Sequence, residues 1–485
     1  MPLWRRRARF LPRLGAKSVA FEYDFVQYLG PVNVILGNSV AFAAGCSNAK
    51  KPLLPPCWLE RLSSSSMPRC HCGMIAAFTH RARFALVALL LAGICGCNKQ
   101  PDFESAGVFR FRLEAETDQD QAKAAAAVDK LLVEWFGTPD QPRWPTVAGK
   151  TELSNSILSM ERLTRAAGPQ RSDRKDNHYG LYRELCSNCH GITGDGRGPA
   201  AMFLAPYPRD FRPGWFKYKS TKRGSKPTRE DLHRLINNGI PGSSMPAFAA
   251  IEHGKNGDLE AVIDYVIYLS IRGQVERELL YEAANDEELI DKALEDKAAE
   301  LFQDIVAQWR DSSEQVVSVT EPTWWADASE KAAAIERGRT IYQGAVAACA
   351  TCHGKSGGGH GLVRDYDDWT KDGTVRAGVE PSDRKAIKPY LAVGGLKPVP
   401  ISPRDLRLGV YRGGAEPADI YRRIVQGIEG TPMPAVALKP DNPQGLSEDE
   451  VWALVAYILN MKNEANSATD TGTNATTVAA SEVAK

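Results

Sequence analysis

The 485-residue chain lacks any imbalance of charge. Its 60 Lys and Arg stand against 59 Asp and Glu, which excludes the lopsided basic composition of a nucleic-acid binder. It also lacks a biased composition: 43% apolar, 25% charged and 8% aromatic residues exclude a wholly disordered, collagen-like or many-span membrane chain. Cysteine is scarce, with ten in the chain and only five from Cys97 onward. At about 100 to 200 residues per domain, the length implies two to four domains.

The even charge conceals two regions. The first 73 residues carry ten basic and three acidic residues, with no repeat and no helical period. From Met74 a start bearing Arg81 and Arg83 leads into the apolar run from Phe84 to Ile94, too short for a stable span, and then I-C-G-C at 94 to 97. This layout, 74–96, resembles a bacterial lipoprotein signal peptide, which implies that Cys97 is acylated and becomes the new N-terminus. Residues 1–73 then read as an upstream over-extension of the reading frame. The alternative is a genuine segment in which Cys46, Cys57, Cys70 and Cys72 have some role. Removing 1–96 takes away twelve basic and three acidic residues, so the remainder is acidic.

With Cys97 lipidated, the remaining thiols form two C-x-x-C pairs, and each continues into histidine: C-S-N-C-H at 186 to 190 and C-A-T-C-H at 349 to 353. The spacing suits covalent haem, because two thiols three residues apart add to the two vinyl groups of one haem and the next imidazole reaches the iron. Cys186, Cys189, Cys349 and Cys352 are therefore the attachment residues of two haem c groups, and His190 and His353 the proximal ligands. The competing readings are a zinc site, which would gather both pairs into one place, and a thioredoxin-like redox pair. Neither requires a histidine after each pair.

The distal ligands come from a repeat. L-H-R-L-I-N-N-G-I-P-G-S-S-M-P-A-F at 232 to 248 aligns without a gap on I-Y-R-R-I-V-Q-G-I-E-G-T-P-M-P-A-V at 420 to 436. Met245 and Met433 each sit in a loop after an amphipathic helix and before a proline. A single such Met would read as core filler, but two of the five methionines after residue 97 hold the same place in both copies. The repeat extends to P-R-D-F-R-P-G at 208 to 214 and P-R-D-L-R-L-G at 403 to 409, and to closing helices carrying Tyr268 and Tyr457. Arg209 and Arg404 are candidate partners of haem propionates, or else pair with Asp210 and Asp405 in a turn. Tyr182 lies four residues before Cys186, and Tyr342 seven before Cys349. Tyr342 shares a helix face with Gly338, which would let a crossing helix approach closely.

On these residues each half resembles a class I cytochrome c domain, over about 176–275 and 331–463. The resemblance implies a mainly α fold, two tandem helical domains, each with an N-terminal helix ending at C-x-x-C-H and a C-terminal helix crossing it. It also implies a proline carbonyl orienting the proximal histidine, for which Pro199 is the candidate in the first half, with no obvious equivalent in the second. Two departures stand out: His178 where a small helix residue is expected, and three extra residues between Tyr342 and Cys349. About 32 residues are inserted in the second half within 361–402, the interval from His353 to Pro403 being 50 residues against 18 from His190 to Pro208. The insertion reads either as a partner surface or as a decorative loop. His360 is an alternative to Met433 as ligand.

Residues 98–175 carry a helical stretch without chemical motif, 276–330 read as a charged helical connector, and 464–485 as a disordered tail. The expectation is an electron carrier rather than an enzyme: a di-haem cytochrome c on the periplasmic face of a bacterial membrane, held by a lipid on Cys97. It would pass single electrons between redox protein partners in a respiratory chain. The alternatives are a cytochrome subunit of a larger respiratory oxidoreductase complex and a di-haem peroxidase, whose mark would be one half without a distal ligand.

Overall fold

The computed structural model describes residues 101–116, 121–146, 157–252 and 257–482. Cys97, the signal-like segment 74–96 and residues 1–73 lie outside them. The described chain is mainly α, with one short hairpin pairing Arg171–Ser172 with His178–Tyr179. No helix among the described residues is long and apolar enough to cross a membrane.

In chain order the helices are α1 (Gly107–Glu116), α2 (Gln121–Phe136), α3 (Met160–Ala166), α4 (Leu181–Leu185), α5 (Ser187–His190), α6 (Arg229–Asn238), α7 (Ala249–Glu252) and α8 (Asp258–Asn285). They continue with α9 (Glu287–Lys292), α10 (Leu294–Arg310), α11 (Ala328–Gln343), α12 (Cys349–His353), α13 (Asp368–Gly373), α14 (Lys388–Ala392), α15 (Pro417–Gln426) and α16 (Glu448–Glu482).

The first half is built around α8. From Leu259 to Glu276 every residue but Glu260 is buried, because α2, α3, α6 and α10 surround the helix. Polar residues on so enclosed a helix need partners. Asp264, fully buried, accepts from Arg162 Nε at 2.7 Å, Arg229 Nη2 at 2.6 Å and the Ser159 amide at 2.9 Å. Glu276 pairs with Arg272 at 2.9 Å and accepts from the Ala106 amide at 2.9 Å.

The segments that carried no motif supply much of this core. Phe136 of α2 and Phe302 of α10 meet edge to face at 6.1 Å, with Tyr268 and Trp144 against the same cluster. Residues 276–310 are helical as expected, but they do not bridge two bodies. The chain folds back so that α10 buries Phe302, Ile305, Val306 and Trp309 toward α8 and its neighbours.

The helix that crosses α8 also differs from expectation. His178 lies in the hairpin and α4 is only five residues long. The principal crossing is made by α3, which buries Leu163 and Ala166, with the hairpin between it and the cysteines. The first half therefore begins ahead of residue 176.

In the second half α11 crosses α16 at Gly338, as the sequence implied. A Cβ there would collide with the Ala453 carbonyl of α16 and approach Tyr457 Cβ to 2.8 Å. Tyr342 and Tyr457 pack edge to face at 5.4 Å beside it. The inserted residues form α13 and α14 and close through a bridge between Asp365 and Ile401. The C-terminal helix runs on through Glu482, so the described part of the expected tail is helical.

Candidate haem sites

The two motifs fold alike. α5 and α12 place both thiols and the histidine of each motif in about one helical turn, and both end at a glycine of nearly identical backbone angles, Gly191 (φ 76, ψ 158) and Gly354 (φ 77, ψ 158). The return loops match bond for bond: Gly196 donates to the His190 carbonyl at 2.9 Å and Gly359 to His353 at 2.9 Å. Gly198 donates to Cys189 at 3.1 Å and Gly361 to Cys352 at 3.0 Å. The three extra residues after Tyr342 are taken up in the turn ending at Ala348, which has a positive φ of 49. Both tyrosines then reach the same carbonyl, Tyr182 Oη donating to Gly191 at 2.9 Å and Tyr342 Oη to Gly354 at 3.0 Å.

Each pair is lodged in its own half. Cys186 packs on the first core and Cys349 on the second. Burial, with Cys189 close by, pushes the Cys186 thiol up to about 12, and burial pushes Cys349 up to about 11.

Burial also holds both imidazoles below the usual histidine value, so they are neutral at pH 7. Nδ1 of His190 lies 3.0 Å from the Arg209 carbonyl and Nδ1 of His353 lies 3.3 Å from the Arg404 carbonyl. A carbonyl only accepts, so Nδ1 carries the proton and Nε2 keeps its lone pair for a metal. This corrects the expectation for Pro199. The orienting carbonyl belongs to the residue after Pro208 and Pro403, and both halves have it because the P-R-D segments return along the motif. The amides of Phe211 and Leu406 complete the return, donating to Gly194 and Gly357 at 2.8 Å each.

The distal loops repeat in three dimensions as they do in sequence. Ile240 donates to the Met245 carbonyl at 3.1 Å and Ile428 to Met433 at 3.2 Å, while Ser243 Oγ and Thr431 Oγ1 each accept from the methionine amide at 3.2 Å. Gly239 and Gly427 start the loops at φ 67 and 64. A Cβ at either would come within 2.7 Å of the proline following the methionine. His360 is exposed in the return loop of the C-x-x-C-H motif, near Gly354 rather than in the Met433 loop.

In the first half a cavity of about 1230 Å³, open to solvent, is lined by Cys186, Cys189, His190 and Met245. Its wall is otherwise largely apolar and includes Arg209, Lys217 and Arg412 but no Asp or Glu. Arg209 Nη1 is buried without a hydrogen-bond partner, its guanidinium lying 3.7 Å over the Trp369 ring. Burial pushes Arg209 down to about 10; burial, followed by the nearby Arg209, pushes Lys217 down to about 7. Under-compensated cations in an apolar cavity with two thiols, an imidazole and a thioether fit a large apolar dianion, which is the chemistry of haem.

Arg209 is thus within reach of such a carboxylate. The guanidinium of Arg404 points elsewhere: its Nη1 donates to the Gly242 carbonyl of the first half at 3.2 Å. Neither arginine pairs with its neighbouring aspartate. Asp210 is held by Arg212 and Asp405 by Arg407, two residues on in each repeat. Lys217, Arg412 and Trp369 escaped the sequence reading because they gain meaning only from contacts across the chain.

Residues 174–266 match the family described as cytochrome c oxidase, cbb3-type, subunit III, and residues 335–462 match the cytochrome c family. No curated protein matches the chain. Among solved structures it is similar to a chain of the reducing HAO-like protein complex of Kuenenia stuttgartiensis, at 25% identity over 58% of this chain and 94% of that one, with a TM-score of 0.38. Both motif-bearing halves are built on one plan and both match cytochrome c families, so the chain carries two cytochrome c domains in tandem.

Proposed function

We propose that this chain carries single electrons through two covalent haems, each ligated by histidine and methionine, and that a lipid on Cys97 holds it at the periplasmic face of a bacterial membrane. Haem bound in each half would supply a one-electron iron couple, and thioether ligation favours the ferrous state. The chain's own residues do the rest. Cys186 with Cys189, and Cys349 with Cys352, attach the group. His190 and His353, their protons fixed on Nδ1, would offer Nε2 to the iron, and Met245 and Met433 would offer their thioether sulfur.

The observation that carries this reading is the matched construction of the two sites, which leaves neither half the obvious vacancy for substrate chemistry. It disfavours the peroxidase alternative. A further contact supports passage between the halves. Arg404 accepts from the second proximal histidine through its carbonyl and reaches the loop of the first distal methionine through its guanidinium. Membership in a larger respiratory complex is the second reading, favoured by the family matched by the first half.

The test is ligand binding to the reduced protein. The unsubstituted chain should hold two covalent haems and bind carbon monoxide poorly. Met245→Ala and Met433→Ala should each open one haem. Rapid stoichiometric binding by the unsubstituted protein, or peroxide turnover after half-reduction, would promote the peroxidase. For the anchor, Cys97→Ser should release soluble protein with unchanged haem content.

A further inference from the structure

The glycine preceding each distal methionine by three residues offers a carbonyl, and the two halves use it differently. In the second half the Gly430 carbonyl accepts from the Asp368 amide at 3.3 Å, a donor from that half's own insertion. The first half has no such insertion. Its Gly242 carbonyl accepts instead from Arg412 Nη2 at 3.0 Å, Arg412 Nε at 3.3 Å and Arg404 Nη1 at 3.2 Å, all from the second half. Arg412 also lines the cavity bounded by Cys186, His190 and Met245.

We propose that Arg404 and Arg412 are positioning residues for the first haem: by gripping the Gly242 carbonyl they hold the Met245 loop in place, so that the second half completes the first half's metal site. The inference rests on the reading of Met245 as an iron ligand. Its physical basis is a charged donor on a short loop. Hydrogen bonds from a guanidinium to a carbonyl are stronger than neutral ones, and three of them converge on one oxygen. A ligand loop so held has fewer conformations in which its sulfur leaves the iron. Docking of the second half therefore tunes ligation in the first; the Met433 loop is braced at Gly430 by its own insertion and is also paired at Glu429 with Lys219 of the first half, at 2.5 Å.

The test uses the full chain with both haems attached. Arg404→Met combined with Arg412→Met should weaken the thioether-to-ferric-iron absorption of one haem and raise carbon monoxide affinity at that haem at least tenfold. The second haem should keep its signature, and the paired lysine variant, which retains a donor, should restore much of the first. Unchanged ligation at both haems in the methionine variant would overturn the proposal, as would equal loss in the lysine variant. If the double variant fails to accumulate, Arg412→Gln alone removes two of the three bonds and is read by the same spectra and the same criteria. Met245→Ala is the reference: if it opens no site, the ligation itself is wrong; if it opens one and the arginine variants do not, only the grip is wrong.

Discussion

The two halves share a site and differ in everything around it. The second half draws more of its support from itself: its crossing helices meet at a glycine, and its insertion braces its own methionine loop, although Lys219 of the first half also pairs with Glu429 of that loop. The first half is assembled from distant pieces. A crossing helix comes from ahead of the hairpin, α10 folds back from beyond α8, and arginines of the second half reach its distal loop. Identical local motifs thus tolerate very different support, because the motif needs only a fixed turn, an oriented imidazole and a loop of defined length.

The insertion of 361–402 makes one of the contacts that join the halves. Asp372 is mostly buried between Arg112 at 2.5 Å and Arg277 at 3.1 Å, and Tyr207 Oη donates to the Lys397 carbonyl at 2.9 Å. Burial would raise the Asp372 carboxyl, but Arg277 and Arg112 outweigh it and hold the group below the usual aspartate value. A depressed carboxylate contributes stability that is present above its unfolded pKa and lost as pH falls through the folded one. The joint should therefore loosen in acid below about pH 4 and remain intact at neutral pH.

The largest expected loss sharpens the contrast between borrowed and internal support. Phe302→Ala should cost about 3 to 5 kcal/mol, a cavity in the first half's core, measured by denaturant unfolding followed at each haem. A connector residue would cost far less, and near-neutral behaviour would restore α10 to a mere linker. Next, Asp372→Asn should cost about 3 kcal/mol, because it removes the buried carboxylate that faces the part-buried guanidinia of Arg112 and Arg277. Unchanged stability with unchanged acid sensitivity would remove the insertion from the joint.

Gly338→Ala should cost roughly 1 to 3 kcal/mol by wedging α11 from α16, with the second haem's unfolding transition affected more than the first. The smallest effect tests equivalence itself. Tyr182→Phe and Tyr342→Phe should each lose about 1 kcal/mol, since each removes one hydrogen bond to the glycine carbonyl after the motif. A large difference between them would show that the extra turn before Cys349 changes more than the path of the chain.

Several features were legible before any coordinates, and for a common reason. C-x-x-C-H, the gap-free methionine loops, the repeated P-R-D and Gly338 are all local patterns whose spacing determines their geometry. Pro199 was the wrong carbonyl because the orienting group comes from 19 residues beyond His190 and 51 beyond His353, a separation set by how the loop returns. Likewise α3 has no haem motif, and 276–310 reads as a charged helix whether it spans solvent or folds back. Its buried stripe of Phe302, Ile305, Val306 and Trp309 is visible only once α8 is there to receive it.

The candidate attachment residues, the candidate ligands and the doubling of the site were legible in the chain alone, because covalent spacing and short turns are functions of adjacent residues. Which carbonyl orients each histidine, which cations face the first cavity, and which arginines of the second half reach the first methionine loop became visible only in the folded chain. Those are contacts between residues up to 170 positions apart, Arg412 with Gly242 among them, and they form only where packing brings distant segments within hydrogen-bond reach.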